Sequence, residues 1–182
     1  MADPLLIKRL VRNLRYRLTY IKVYETFLQQ ESHPEALRLL RELIDTQQSA
    51  LASLTGYLQG LGATTQGLPL NQKLLDHAAS RTDGQSRMRF VQYGLEKAVS
   101  WYKEQLMDKK MTADPALRQL LLQLGEREAA SLWRAKVVMG TLGMRREPIS
   151  NERAESARAH SVRGRQGRSR QVIATSRATW PR

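Results

Sequence analysis

The segment Asp114–Gly143, DPALRQLLLQLGEREAASLWRAKVVMGTLG, has the periodicity of a helix about eight turns long. Its core-facing positions recur every three or four residues, which places them on one face of that helix. They are Leu117, Leu121, Leu124, Glu128, Ser131, Leu132, Ala135, Met139 and Leu142. Glu128 is the charged member of this face, and a carboxylate among apolar side chains needs a metal, a cation or a shared proton as its partner.

Three further long helices are predicted upstream, at about Pro4–Gln30, Pro34–Leu61 and Arg87–Met111, each with an apolar stripe. Short breaks before Pro34 and Pro115 make each flanking pair of helices an antiparallel hairpin. The connector 63–86 is long enough to cross from one hairpin to the other, with room for a short helix near 71–80. The sequence therefore predicts an all-α fold, an antiparallel four-helix bundle over residues 1–143.

An internal repeat supports this arrangement. The segment His33–Gly62 aligns without gaps on Asp114–Gly143 at an offset of 81 residues, with matching prolines near the start and matching Leu-Gly pairs at the end. A duplicated hairpin explains the match, and the alternative is that any two leucine-rich helices align this well.

The composition excludes several classes of site. The chain of 182 residues has no cysteine, so disulfides, thiolate zinc sites and cysteine nucleophiles are excluded, and it has three histidines. No apolar run reaches the length of a signal peptide or a membrane span, and we therefore expect a soluble cytoplasmic protein. The net charge of +13 favours acidic partners.

Much of this charge lies in residues 144–182, where ten arginines and three acids give +7. This segment lacks apolar periodicity, so the sequence predicts a disordered basic tail that is separate from the helical body. Arginine pairs with phosphates and stacks on bases, which favours nucleic acid or an acidic protein as a partner. The candidate polyanion-binding residues are Arg145, Arg146, Arg163, Arg165, Arg168 and Arg170. The alternative is a tail that only increases solubility.

The stretch Gly94–Tyr102, GLEKAVSWY, resembles the G-E-x-x-A-x-x-x-Y pattern of the rubrerythrin and ferritin-like superfamily, with Leu95 in the place of Glu. In that superfamily the first and third helices each supply a Glu, the second and fourth each supply E-x-x-H, and together they hold two irons. The resemblance implies a ferritin-like bundle of two helical hairpins joined by a long crossover, over about residues 4–143.

The same resemblance assigns the six metal-ligand positions to residues of this chain. They are Arg17, Gln47, Ala50, Leu95, Glu128 and Ser131. Glu128 alone is a metal ligand of the expected type, and one carboxylate without histidine cannot hold a pair of metals. The resemblance therefore implies a degenerate metal site, and we expect no catalytic residue, no metal and no other cofactor.

Arg17 and Glu128 occupy two of these positions, so both should point into one volume. We expect an ion pair there, because a guanidinium meets a carboxylate with two donors, and we expect Gln47 and Ser131 nearby as hydrogen-bonding groups. One alternative is that Arg17 extends along the apolar side and places its head in water. The other is that Glu128 reaches solvent.

These observations predict a non-catalytic ferritin-like bundle that acts as a binding or assembly module, with the tail contacting an acidic partner. One alternative is a di-metal oxidase or peroxidase whose rearranged site uses Glu96, Glu104, Glu126 and Glu128. Another is a subunit of a larger assembly, such as a homo-oligomer, that docks through the basic face of the first helix.

Overall fold

A computed structural model describes residues 3–144, and this part of the chain forms five α-helices and no strand. The helices are α1 (Pro4–Gln30), α2 (Pro34–Gly60), α3 (Gln72–Ala79), α4 (Gly84–Met107) and α5 (Pro115–Met144). The predicted all-α fold class is confirmed. None of these helices is long and apolar enough to cross a membrane. The predicted basic tail lies outside the described residues after Met144, so its disorder and its separation from the body stay predictions.

The long helices form two packed pairs. Helix α1 packs against α2, α4 packs against α5, and the pairs meet through α2 and α5. The connections 31–33 and 108–114 are short, which makes each pair a hairpin. The long connector and α3 lie on α1, where Arg15 Nε donates to the Pro69 carbonyl oxygen over 2.7 Å and the Asn71 amide donates to Thr19 Oγ1 over 3.0 Å.

Helix α4 differs from its predicted range of about Arg87–Met111 at both ends. Asp83 accepts a hydrogen bond from the Ser86 amide over 2.8 Å, and this cap starts the helix at Gly84. At the other end Asp108 has an extended backbone and its carboxylate accepts from Arg9 Nη1 over 2.6 Å. The helix therefore ends at Met107, because the polar contacts of Asp108 favour a turn over a further helical turn.

The core consists of two apolar clusters, one toward each end of the long helices. The first includes Val23, Phe27, Leu40, Leu43, Val91 and Leu95, and the second includes Leu10, Leu14, Leu54, Leu58, Leu117 and Leu121. Along α1, α2 and α5 the chain passes from one cluster to the other through a buried polar residue. The position between the clusters is therefore where the polar chemistry of the core is concentrated.

Candidate functional site

Each long helix contributes a buried polar side chain to the level between the two apolar clusters: Arg17 from α1, Gln47 from α2, Tyr102 from α4 and Glu128 from α5. All four lie on the buried faces of their helices, because they follow the same three- and four-residue spacing as the leucines around them. Arg17 is 4% exposed and Glu128 is 2% exposed. Both charges are therefore shielded from bulk water and depend on partners within the protein.

Three of these side chains form a closed set of hydrogen bonds. Arg17 Nη1 donates to Glu128 Oε1 over 3.0 Å and to Gln47 Oε1 over 2.6 Å. Gln47 Nε2 donates in turn to Glu128 Oε1 over 3.0 Å. The amide of Gln47 thus accepts from the guanidinium and donates to the carboxylate, which suits a neutral group placed between opposite charges.

Tyr102 and Asn13 extend the set on the other side of Arg17. Arg17 Nη2 donates to the Tyr102 hydroxyl oxygen, and that hydroxyl donates to Asn13 Oδ1 over 3.2 Å. Arg17 Nε donates to the same Asn13 oxygen over 3.1 Å. All three guanidinium nitrogens are therefore bonded, and we refer to Asn13, Arg17, Gln47, Tyr102 and Glu128 as the polar network.

The structure brings together Arg17, Gln47 and Glu128, three of the four residues proposed for this volume from the sequence. The fourth, Ser131, is buried, but no hydrogen bond joins it to those three side chains. The alternative in which the head of Arg17 extends into water is wrong, and so is the alternative in which Glu128 reaches solvent, because both side chains are buried.

Tyr102 and Asn13 were not expected as members of the network. In the sequence, Tyr102 is the last residue of the pattern that begins at Gly94, and nothing in that pattern indicates a hydrogen bond to Arg17. A signal for Asn13 was present, since it precedes Arg17 by four residues and therefore lies on the same face of α1. The geometry between helices was needed to bring these two side chains together.

The surroundings keep the guanidinium charged and the phenols neutral. Burial lowers the pKa of Arg17, but the Tyr102 oxygen and the Glu128 carboxylate outweigh burial, and the pKa is raised overall. Burial raises the pKa of Tyr102, and the pKa stays raised although Arg17 lowers it. Burial, followed by the Glu128 carboxylate, raises the pKa of Tyr24 well above its ordinary value. Arg17 therefore keeps its positive charge at neutral pH, and the phenols of Tyr24 and Tyr102 stay neutral.

The residues at this level do not fit a pair of metal ions. Glu128 Oε1 already accepts two hydrogen bonds, and a guanidinium lies in contact with the same carboxylate. The expected ligand position on α4 is Leu95, which is buried and apolar. Among residues 3–144, no three histidine, cysteine, aspartate or glutamate side chains form a group that could hold a metal ion.

Three of the four acids of the rearranged metal site lie apart from the network. Glu96, Glu104 and Glu126 are exposed, whereas Glu128 is buried. Glu96 accepts from Gln92 Nε2 over 3.0 Å on the surface of its own helix, and Ser100 Oγ donates to Glu104 over 3.4 Å. These three carboxylates therefore lie on solvent-exposed helix faces.

Glu128 Oε2 is the one atom of the network that is buried and has no hydrogen-bond partner. The carboxylate lines a cavity of about 440 Å³ together with Arg17, Gln47 and Tyr102. This oxygen can therefore accept a further hydrogen bond.

The six arginines predicted to bind a polyanion lie outside the described residues. They are Arg145, Arg146, Arg163, Arg165, Arg168 and Arg170.

Comparison with known proteins found no match among family models, curated proteins or solved structures.

Proposed function

We propose that this protein is a ferritin-like four-helix bundle that acts as a non-catalytic binding or assembly module, with its Arg-rich tail engaging an acidic partner. The observation that carries the proposal is the polar network, in which Arg17 is bonded to the single carboxylate at the centre of the helices. A guanidinium in that position supplies the positive charge that a metal would otherwise supply, so the centre of the bundle stabilises structure instead of performing redox chemistry.

The ferritin-like assignment is supported by two helical hairpins, by a long connector between them, and by polar side chains from all four long helices at one level of the core. The repeat of the sequence supports it further, because Gln47 and Glu128 align at the offset of 81 residues and are hydrogen-bonded to each other. Duplicated halves related by a twofold axis bring equivalent positions together at that axis.

Metal analysis of the purified full chain tests the central part of the proposal. The protein would be expressed with iron and manganese in the medium, and its metal content would be measured by mass spectrometry. We expect substoichiometric metal that is removed by mild chelation without a change in the unfolding midpoint. Stoichiometric iron or manganese that resists chelation would overturn the proposal in favour of the oxidase or peroxidase alternative.

The tail is proposed as the partner-binding element on the basis of its charge of +7. Each phosphate contact that a basic residue makes steepens the salt dependence of binding, so several arginines together predict strongly salt-sensitive retention on a polyanion. We expect deletion of residues 144–182 to leave the helical content of the body unchanged and to abolish this retention on a heparin column.

A matched pair of full-length variants separates the tail from the charge of the body. One variant replaces Arg145, Arg146, Arg163, Arg165, Arg168 and Arg170 with Gln. The control replaces six exposed cations of the described part with Gln, namely Lys8, Lys73, Lys103, Lys109, Lys110 and Arg118. We expect the tail variant to lose the steep salt dependence and the control to keep most of it. If the control lost the steep salt dependence and the tail variant kept it, polyanion binding would belong to the helical body.

A further inference from the structure

A cleft lies between α1 and α4, beside the polar network. These two helices are not among the closely packed pairs, which are α1 with α2, α4 with α5, and α2 with α5. The resulting cavity of about 440 Å³ is lined mainly by residues of α1 and α4. This volume falls within the range of roughly 300–1,000 Å³ that is usual for small-molecule sites.

The walls of the cleft are aromatic. The rings that line it are those of Tyr16, Tyr20, Tyr24, Tyr93, Trp101 and Tyr102. Tyr93 is 58% exposed, while Tyr24 and Tyr102 are fully buried, so the rings extend from the surface to the polar network. Aromatic faces arranged in this way favour a flat, ring-containing ligand, because offset and edge-to-face contacts add to the burial of apolar surface.

The inner end of the cleft carries an acceptor without a donor. Glu128 lines the cavity, its Oε1 atom accepts from Arg17 and Gln47, and its Oε2 atom has no partner although it is buried. A buried carboxylate oxygen that lacks a hydrogen bond is costly, so an N–H or O–H group at this point would be favourable. A neutral donor suits the site better than a cation, because a cation here would lie close to the Arg17 guanidinium.

The outer end of the cleft is positively charged. Arg12 and Lys97 line it and are exposed, and they lie over the rings of Tyr16 and Tyr93 at 5.8 Å and 5.3 Å from the ring centroids. No acidic side chain lines the cleft among the described residues except Glu128, which is paired with Arg17. The rim therefore favours an anionic group, whereas the inner end favours a hydrogen-bond donor.

We infer that this cleft binds a flat aromatic anion with a ring N–H or O–H group. The ring lies between the aromatic walls, the ring donor bonds to Glu128 Oε2, and the anionic group faces Arg12 and Lys97. The inference goes beyond the proposed function, because it concerns the helical body and a small molecule, whereas the proposed partner of the tail is a polyanion.

Isothermal titration calorimetry with three probes tests each part of this assignment on the full-length protein. Indole-3-acetate has both the ring N–H and the anion, naphthalene-1-acetate has the anion but no ring donor, and indole has the donor but no anion. We expect indole-3-acetate to bind at least about tenfold more tightly than either of the other two, since each lacks one charge-assisted contact. Equal binding of the three probes, or no binding of indole-3-acetate, would overturn the inference.

Variants of the rim and the walls locate the binding. Arg12→Glu/Lys97→Glu should weaken indole-3-acetate binding about tenfold or more, whereas Lys8→Glu/Lys103→Glu makes the same charge change at exposed positions of the same two helices and should have little effect. Ala98→Phe adds a bulky ring at a position that lines the cleft and is not a member of the polar network, and it should abolish binding while the unfolding midpoint is retained. Equal loss in both charge variants, or undiminished binding by a folded Ala98→Phe protein, would show that the probe binds elsewhere and overturn the assignment.

Discussion

Gln47 Nε2 lies 3.0 Å from Glu128 Oε1, and the two residues are separated by 81 positions, which is the offset of the internal repeat. Gln47 of the first repeat copy therefore contacts the equivalent residue of the second copy, Glu128. The first copy has an amide at this position and the second has a carboxylate. This difference gives the polar network one carboxylate, which the guanidinium of Arg17 balances. With an amide at both positions, Arg17 would have no negative charge beside it. With a carboxylate at both positions, two negative charges would face the single positive charge of Arg17.

The first prediction follows from that balance. Gln47→Glu adds a second carboxylate beside Glu128, and we expect a clear loss of stability at neutral pH because like charges would share one buried volume. The new carboxyl would have a folded-state pKa above its unfolded value of about 4.3, so the penalty should grow as pH rises above that value and diminish at acidic pH. Denaturant unfolding between pH 4 and 8 measures this dependence.

The control for this variant is Gln48→Glu, the same change at the next position, where the side chain is exposed. We expect it to alter the free energy of unfolding by less than about 0.5 kcal/mol. Equal effects of the two variants, or a Gln47→Glu penalty that does not change with pH, would contradict the charge balance proposed for the network.

The second prediction concerns the ion pair itself. Arg17→Met and Glu128→Leu each leave an uncompensated buried charge, so each should lower the free energy of unfolding by about 3–5 kcal/mol. The double variant removes both charges and should be less destabilised than the sum of the single variants, because part of each single loss comes from the partner left behind. Chemical denaturation of the four proteins in the cycle gives the coupling energy.

An exposed pair serves as the reference for this cycle. Arg134 Nη1 lies 2.6 Å from Glu42 Oε2, and the side chains are 51% and 39% exposed. Solvent screens this pair, and its coupling energy should be about 0–1 kcal/mol despite the shorter distance. A coupling energy at Arg17–Glu128 no larger than that of the exposed pair would show that the buried contact does not depend on mutual charge.

The third prediction concerns the contact between the Tyr20 side chain of α1 and Gly94 of α4. A Cβ atom at this position would lie 2.7 Å from the Tyr20 hydroxyl oxygen and 2.8 Å from its ring, so Gly94→Ala requires the Tyr20 side chain to move. Gly56→Ala is the matched control in another helix, where a Cβ would meet no atom within 4 Å.

We expect Gly56→Ala to stabilise the protein by about 0.5–1 kcal/mol through helix propensity. Relative to this control, Gly94→Ala should be less stable by about 1–3 kcal/mol, because both changes share the propensity gain and only one introduces a clash. Urea denaturation measures both. Equal stabilisation by the two substitutions would mean that Tyr20 moves aside at no cost.

The fourth prediction is a pH window for the contact between Tyr57 and Asp114, whose side-chain oxygens lie 2.6 Å apart. The Tyr57 hydroxyl, followed by the Ala116 amide, holds the pKa of Asp114 below its ordinary value of 3.8. Burial and the hydrogen bond to Asp114 raise the pKa of Tyr57 above its ordinary value of 10.0. The contact thus requires an ionised Asp114 and a protonated Tyr57.

The sign of each shift defines the window. A lowered acid pKa gives stability that is present above the unfolded pKa of about 4 and is lost as pH falls through the folded pKa. A raised tyrosine pKa gives stability that is present below about pH 10 and is lost as pH rises through the folded pKa. The difference in unfolding midpoint between wild type and Tyr57→Phe should therefore be greatest between about pH 4 and 10. Tyr93→Phe, which removes an exposed hydroxyl, should show no such window.

The spacing of residues along the chain left open whether the charged ends of Arg17 and Glu128 meet, but it was sufficient to predict the all-α class, the limits of α1 and the helix faces on which the two residues lie. This succeeded because a helix has a fixed rotation per residue, so the face on which a side chain lies follows from its position alone. The limits of α4 were less accurate, because they depend on the local contacts of Asp83 and Asp108, which compete with helical hydrogen bonds.

Sequence alone thus determined which helix faces are buried and that a cation and a carboxylate would lie on them, because both follow from helical periodicity. Only the tertiary structure decided that Tyr102 and Asn13 complete the bonding of Arg17, that Ser131 does not join it, and that Glu128 Oε2 is left without a donor beside a cleft. These features depend on the distance between neighbouring helices, and that distance is set by the combined packing of side chains from four segments far apart in the chain.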